Sequence, residues 1–293
     1  MPAIAEVQIA CAIFTFLLGL AFGSFLNVVL TRLPNDESIV HPGSHCRNCD
    51  HVLSWWENIP LLSWLLLRGR CRQCHTRISP RYPLIELAIA TLWAAIWLRF
   101  GPNELSAPIA HTLIQVAGLA LLSWLLVALA TLDALHFWLP DVLTFPGIAL
   151  GFSFTMSSVW FHWSFPASET VAPAFWNCLV ATLAAAAIIL IIRLAYWLVR
   201  RKEGMGLGDA KLMAMLGAWL GFVGALESFV LAIFAASAAA LIWLAITATR
   251  RGSSSAQWAK MPLPLGTFLC LAALSEVFYP QWLWLWYARV FLP

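Results

Sequence analysis

Eight stretches of this chain stay apolar, seven of them for about the length of a lipid bilayer and the sixth shorter, and that limits what it can fold into. They run from Val7 to Leu30, Leu84 to Phe100, Ala107 to Ala130, Val142 to Phe161 and Pro173 to Val199. The remaining three are Ala210 to Val223, Leu226 to Ala248 and Leu263 to Tyr279. A helix needs roughly 20 apolar residues to cross the hydrocarbon core. Hydrophobic residues make up 61% of the chain and charged residues 11%. A soluble domain averages about 45–50% and about 25%. The runs are rich in Leu, Ala and Trp and lack strict alternation. Helices therefore fit better than a membrane barrel. The expected fold is an all-α polytopic membrane protein of about eight spans. The break between the sixth and seventh rests on Gly217, Gly221 and Gly224.

The first run has no basic residues before it and is longer than the apolar core of a signal peptide. It reads as a retained first span. Lys and Arg set the orientation. Arg32, Arg47, Arg68, Arg70, Arg72, Arg77 and Arg81 fall between the first two spans. Arg200, Arg201 and Lys202 follow the fifth; Arg250, Arg251 and Lys260 follow the seventh. With the N-terminus outside, all of these are cytoplasmic, and Arg99 and Arg289 lie on the far side. The net charge of +3 is too small to point to nucleic acid. The Trp-rich tail "QWLWLWYARVFLP" suits a membrane interface. "RRGSSSAQWAK" reads as a flexible loop.

Residues 34–83 are too polar for lipid. They form a cytoplasmic segment between a first helix at 1–33 and a membrane core at 84–293. This segment carries two Cys-x-x-Cys pairs, Cys46/Cys49 and Cys71/Cys74. Each pair sits on a tight turn, and two such turns suit tetrahedral Zn2+. The alternative is two disulfides or four unrelated thiols; a cytoplasmic position argues against disulfides. His41, His45, His51 and His75 lie nearby, but four thiolates already fill the shell. Cys11, Cys178 and Cys270 fall in apolar spans and read as small hydrophobes.

Acids at membrane depth are costly and so point to function. Glu104 and Glu169 fall in expected exterior loops, Glu203 in a basic loop and Glu6 at the chain start. Asp141 follows Pro140 and reads as a helix cap. Asp133 and Asp209 differ. The first ends the third span and the second begins the sixth, both on the cytoplasmic side. Two facing carboxyls can share a proton: one takes a proton from water, the other donates to a substrate carbonyl. That is aspartyl-protease chemistry. Asp209 alone would read as an N-cap. Its neighbours Gly204, Gly206 and Gly208 allow an extended peptide to approach the backbone. Gly206, Gly208 and Lys211 are candidate substrate contacts. Asp36, Glu37 and Glu57 read as surface groups. A transporter or proton channel could use the same acids, and a zinc-ribbon scaffold the same cysteines.

"GSFLNVVLTRLP", "NIP", "LRGRC", "ISPRYPLIE", "LDALHFWLPD" and "GMGLGDAKLMAMLGAWLG" together resemble the bacterial type IV prepilin peptidases, a family of GxGD-type aspartyl proteases. The resemblance covers nearly the whole chain. It implies a bifunctional inner-membrane enzyme, with its active site facing the cytoplasm and its N-terminus in the periplasm. Such enzymes cut the basic leader from prepilins and type II secretion pseudopilins. They then methylate the new N-terminal residue, usually Phe, with S-adenosylmethionine. The resemblance implies catalysis by Asp133 and Asp209 and metal binding by Cys46, Cys49, Cys71 and Cys74. A peptidase without the methyltransferase is the alternative. No Gly-rich strand-turn-helix fingerprint for the methyl donor is present, and Arg68, Arg70 and Arg72 read as solvated positive charge. One departure is "PLPLGTFL" at Pro262 to Leu269, where the family carries a Pro-Phe-Gly-Pro-like run.

Overall fold

The apolar runs fold as helices because lipid offers nothing to a backbone N–H or C=O, and a helix satisfies those groups within itself. The computed structural model describes residues 2–102, 109–160, 171–202, 205–250 and 263–291. Among them the helices are α1 (Pro2–Arg32), α2 (Leu62–Leu66), α3 (Arg81–Phe100), α4 (Ile109–His136), α5 (Asp141–Trp160), α6 (Val171–Arg200), α7 (Leu207–Arg250), α8 (Leu265–Phe278) and α9 (Trp282–Phe291). The described residues contain no strand, only the isolated bridges His45–Val52 and Arg70–Arg77. All eight apolar stretches coincide with helix within a few residues. Five helices are long and apolar enough to cross a membrane: α1, α3, α4, α6 and α7. The chain is an all-α membrane protein. Glu104, Glu169, Glu203, Gly204, Arg251 and Lys260 lie outside the described residues, as does most of the Gly/Ser loop.

Gly221 resolves the sixth-to-seventh break. The helical stretch from Leu207 to Arg250 is interrupted there, at φ 72° and ψ 175°. Side chains with a Cβ rarely adopt that conformation, so among the three candidate glycines this one turns the chain.

The chain divides into two compact units, Met1–Trp124 and Leu125–Pro293. In the first, α1 packs closely on α3. A Cβ on Gly23 would come within 2.6 Å of the Glu86 Cα, so a small residue sets this spacing. The Asn27 amide donates to the Tyr82 carbonyl (2.9 Å), and the Trp124 indole to the Phe22 carbonyl (3.0 Å).

The polar segment is tied to this helix pair by two buried charged side chains. Arg32 is buried, and its guanidinium donates to the carbonyls of Ser38 (2.9 Å) and Pro42 (2.7 Å). Glu86 of α3 is buried and accepts the Leu61 N–H at 2.7 Å. Glu57 corrects the surface reading. It is 5% exposed and forms a capping box with Ser54, whose N–H it accepts at 2.8 Å. Its second partner is His51 Nε2, at 3.2 Å. The stretch "WENIP" is too short to show an apolar period from which burial could be read. The Ser54 N–H, with His51, holds the Glu57 carboxyl below its ordinary range, against the effect of burial. Among the three arginines read as solvated, Arg72 stacks over the Trp56 ring at 4.9 Å.

In the second unit, α7 packs against α5, α6 and α8. Trp219 lies at its centre, 2% exposed, donating to the Gly147 carbonyl at 2.8 Å, with its ring tilted by 34° against that of Phe154, centroids 5.0 Å apart. Two buried acids support α9. Glu227 accepts the Trp284 N–H at 2.8 Å, and Glu276 the Gln281 N–H at 2.8 Å.

Two expectations follow. Gly221→Ala forces a Cβ into a glycine conformation and should lower the thermal unfolding midpoint, by an amount equivalent to about 1–3 kcal/mol. Because Glu57 titrates lower in the folded protein, its stabilisation is complete above the unfolded-chain value of about 4.3. It is lost as pH falls through the folded-state value. Wild-type stability measured from pH 6 downward should therefore drop more steeply than that of Glu57→Gln.

Candidate functional site

Asp133 sits in the last turn of α4, and Asp209 in the first turn of α7. They are 76 residues apart in the chain, yet both line one cavity of about 600 Å³. Gly206, Gly208, Asp141 and Lys211 share the same walls. The sequence-predicted pair is thus brought to a common space, with the candidate substrate contacts around it.

Each carboxyl is fixed by backbone at a helix start. Asp133 is buried, and its Oδ2 accepts the Thr267 N–H at 2.7 Å and the Thr267 hydroxyl at 3.1 Å. Thr267 lies in the first turn of α8, where N–H groups lack helical partners. Gly266 makes the approach possible: a Cβ there would stand 3.0 Å from the Asp133 Cγ. Asp209 is half-buried and accepts the Gly206 N–H just ahead of α7. It is therefore also a cap, from within the first turn rather than from the position before it. Arg193 of α6 donates to the Met205 carbonyl at 2.8 Å and so steadies the entry to α7.

The Lys211 ammonium forms an ion pair with Asp141 and lies 5.3 Å over the Phe145 ring. Asp141 is the first residue of α5, and its carboxylate is held by Lys211. Thr267 and Gly266 escaped the sequence reading of the site. Their one signal was the departure "PLPLGTFL", which spans both.

The four cysteines of the polar segment converge. Their sulfurs lie within 4.8 Å of one another, with Cys46–Cys74 at 3.8 Å and Cys49–Cys71 at 4.0 Å. Zinc–sulfur bonds of about 2.3 Å in a tetrahedron set sulfur–sulfur edges of about 3.8 Å, so the donor set fits that ion. The two knuckles are built alike. The Cys46 N–H donates to the His51 carbonyl and the Cys71 N–H to the Thr76 carbonyl, both at 2.9 Å. Asp50 and His75 turn each knuckle at φ 55° and 56°. His51 is occupied with Glu57 and His45 with the Gly43 carbonyl, which leaves the shell to sulfur. The thiols titrate unevenly. The Thr76 hydroxyl and N–H pull Cys74 down to about 5. The His51 N–H favours the Cys49 thiolate, but burial and the three other thiols push it up to about 12. A shared cation removes that conflict, because all four ligands bind it as thiolates.

Comparison with known proteins gives the family. Residues 17–100 match the Bacterial Peptidase A24 N-terminal domain, and residues 120–245 match the Type IV leader peptidase family. The chain belongs to the type IV leader peptidase family. Among curated relatives, the prepilin leader peptidase/N-methyltransferase of Stutzerimonas stutzeri is 33% identical, over 92% of this chain and 91% of the relative. The protein of that name from Pseudomonas aeruginosa is 34% identical, over 92% and 90%. The one from Myxococcus xanthus is 44% identical over 71% of this chain, which spans 56% of that relative. No solved structure matches.

Metal analysis of the purified protein tests the cysteine cluster. The wild type should carry zinc equimolar with the chain and Cys71→Ser should lose it, with a matching loss of protection from proteolysis within residues 34–83.

Proposed function

We propose that this chain is a prepilin leader peptidase and N-methyltransferase whose peptidase is an aspartyl protease built on Asp133 and Asp209. The observation that carries this reading is that two carboxyls from separate helices face one cavity, each ordered by hydrogen bonds. One carboxylate takes a proton from water as the water oxygen bonds to the scissile carbonyl carbon. The other carboxyl, protonated, gives its proton to the carbonyl oxygen. Collapse of the resulting diol breaks the C–N bond, and the departing nitrogen takes a proton from the pair. Gly206 and Gly208 let an extended segment lie close to the backbone beside the acids.

The substrates on this reading are prepilins and type II secretion pseudopilins, with a basic leader ahead of an apolar helix. Their scissile bond lies near the cytoplasmic interface, at the depth of Asp133 and Asp209. The positive-inside pattern supports an inner-membrane protein with both acids and the cysteine segment on the cytoplasmic side and the N-terminus in the periplasm. Zinc bound to Cys46, Cys49, Cys71 and Cys74 would act structurally, holding the two knuckles of a segment with little core. S-adenosylmethionine would supply the methyl group for the amine that cleavage exposes. The shared name of the full-length relatives supports this second activity.

The test is leader cleavage in lipid or detergent with purified protein and a prepilin. Asp133→Asn and Asp209→Asn should each lower cleavage at least 1,000-fold, on the order seen when a protease loses a catalytic group, while zinc content stays normal. Activity retained in either variant rejects the dyad. Mass spectrometry of the product made with S-adenosylmethionine decides the second half: an unmethylated N-terminus after complete cleavage removes the methyltransferase.

A further inference from the structure

The Pro-Phe-Gly-Pro-like run of the family is here "PLPLGTFL", and the structure shows what Thr267 does in it. Its N–H and its hydroxyl both reach Asp133 Oδ2, at 2.7 and 3.1 Å. Its hydroxyl also lies 3.0 Å from the Ala130 carbonyl, one turn earlier on α4. A hydroxyl has one proton, so at any moment it donates to one of these two acceptors. The backbone N–H has no such choice and always points to the carboxylate. A proline at this position would supply neither donor.

We propose that Thr267 is a positioning residue for the peptidase, setting the rotamer of the Asp133 carboxyl so that Oδ2 is held by α8. The inference rests on the aspartyl-protease reading above. Three features act together. The first turn of α8 has N–H groups without helical partners, and Pro264 before it caps nothing with its side chain. Gly266 leaves room for the carboxyl to approach to 3.0 Å of where a Cβ would be. The Thr267 hydroxyl bridges the carboxylate and the α4 backbone that carries it. With Oδ2 always held by the N–H and within reach of the hydroxyl, and no described residue donating to Oδ1, the two oxygens have different tasks. Oδ2 fixes the group, and Oδ1 is the oxygen available to water or substrate.

Thr267 touches neither substrate nor water in this scheme, so its loss acts on turnover rather than on binding. Thr267→Val keeps the shape and the N–H but removes the hydroxyl. It should lower kcat for leader cleavage by roughly 10- to 100-fold, the scale of a small misplacement of a catalytic group. KM should stay within about two-fold, because uniform binding is untouched. Thr267→Ser restores the hydroxyl and should recover most of the loss. Thermal midpoints of both variants are measured alongside, because a purely structural role would lower the amount of folded enzyme without this rescue. If Thr267→Val does not fold, Gly266→Ala carries the test. Its Cβ displaces the same carboxyl, so the folded protein should again lose kcat at constant KM.

A folded Thr267→Val with wild-type kcat overturns the proposal. So does a Thr267→Ser no better than Thr267→Val, or a loss seen in KM alone. Asp133→Asn is run in parallel. If it is inactive while Thr267→Val is normal, the positioning role fails and the dyad stands; if Asp133→Asn is active, the dyad itself falls.

Discussion

A backbone N–H at the start of a helix within a bilayer has no water to turn to, and leaving it unpaired is costly. In this chain buried and half-buried carboxylates meet that need. Asp133 accepts from the start of α8 and Asp209 from the residue ahead of α7. Glu227 and Glu276 accept from the start of α9. Each pairing satisfies both partners: the donor gains an acceptor, and the acid gains the hydrogen bond without which a buried charge is untenable. A membrane acid is therefore a functional signal only in part. What separates Asp133 and Asp209 from Glu227 and Glu276 is the open cavity in front of them.

That distinction marks the limit of what could be read without coordinates. The helices were legible because the apolar runs are long, and the cysteine cluster because its spacing repeats. The pairing of Asp133 with Asp209 was legible only as a shared depth, since nothing local links residues so far apart. The roles of Glu227 and Glu276 were not legible at all, because their partners are backbone groups at the start of α9, and backbone donors carry no letter in a sequence. Glu57 misled in the opposite direction. An acid beside tryptophans and a proline reads as exposed, yet its Ser54 and His51 partners bury it. The glycines at 217, 221 and 224 were equally plausible breaks until the backbone angle at Gly221 chose between them.

The cysteine segment shows the same economy with a different group. Two knuckles of matching hydrogen-bond pattern bring four sulfurs together, but the thiols alone sit poorly side by side: one ionises readily and another resists. The geometry suits a cation more than it suits four protons. The knuckles are not free-standing. Arg32 gathers the Ser38 and Pro42 carbonyls and Glu86 takes the Leu61 N–H, so the ends of α1 and α3 shape the segment that they flank.

The two compact units also separate two kinds of chemistry. Every hydrogen bond described at the Asp133 and Asp209 side chains comes from within Leu125–Pro293: from Thr267 in one case and Gly206 in the other. The ion pair on the cavity wall, Lys211 with Asp141, lies there too. The cysteine cluster and its supports lie wholly within Met1–Trp124. Carboxyl orientation thus depends on where helices begin in the second unit, and the convergence of the four sulfurs on turns in the first.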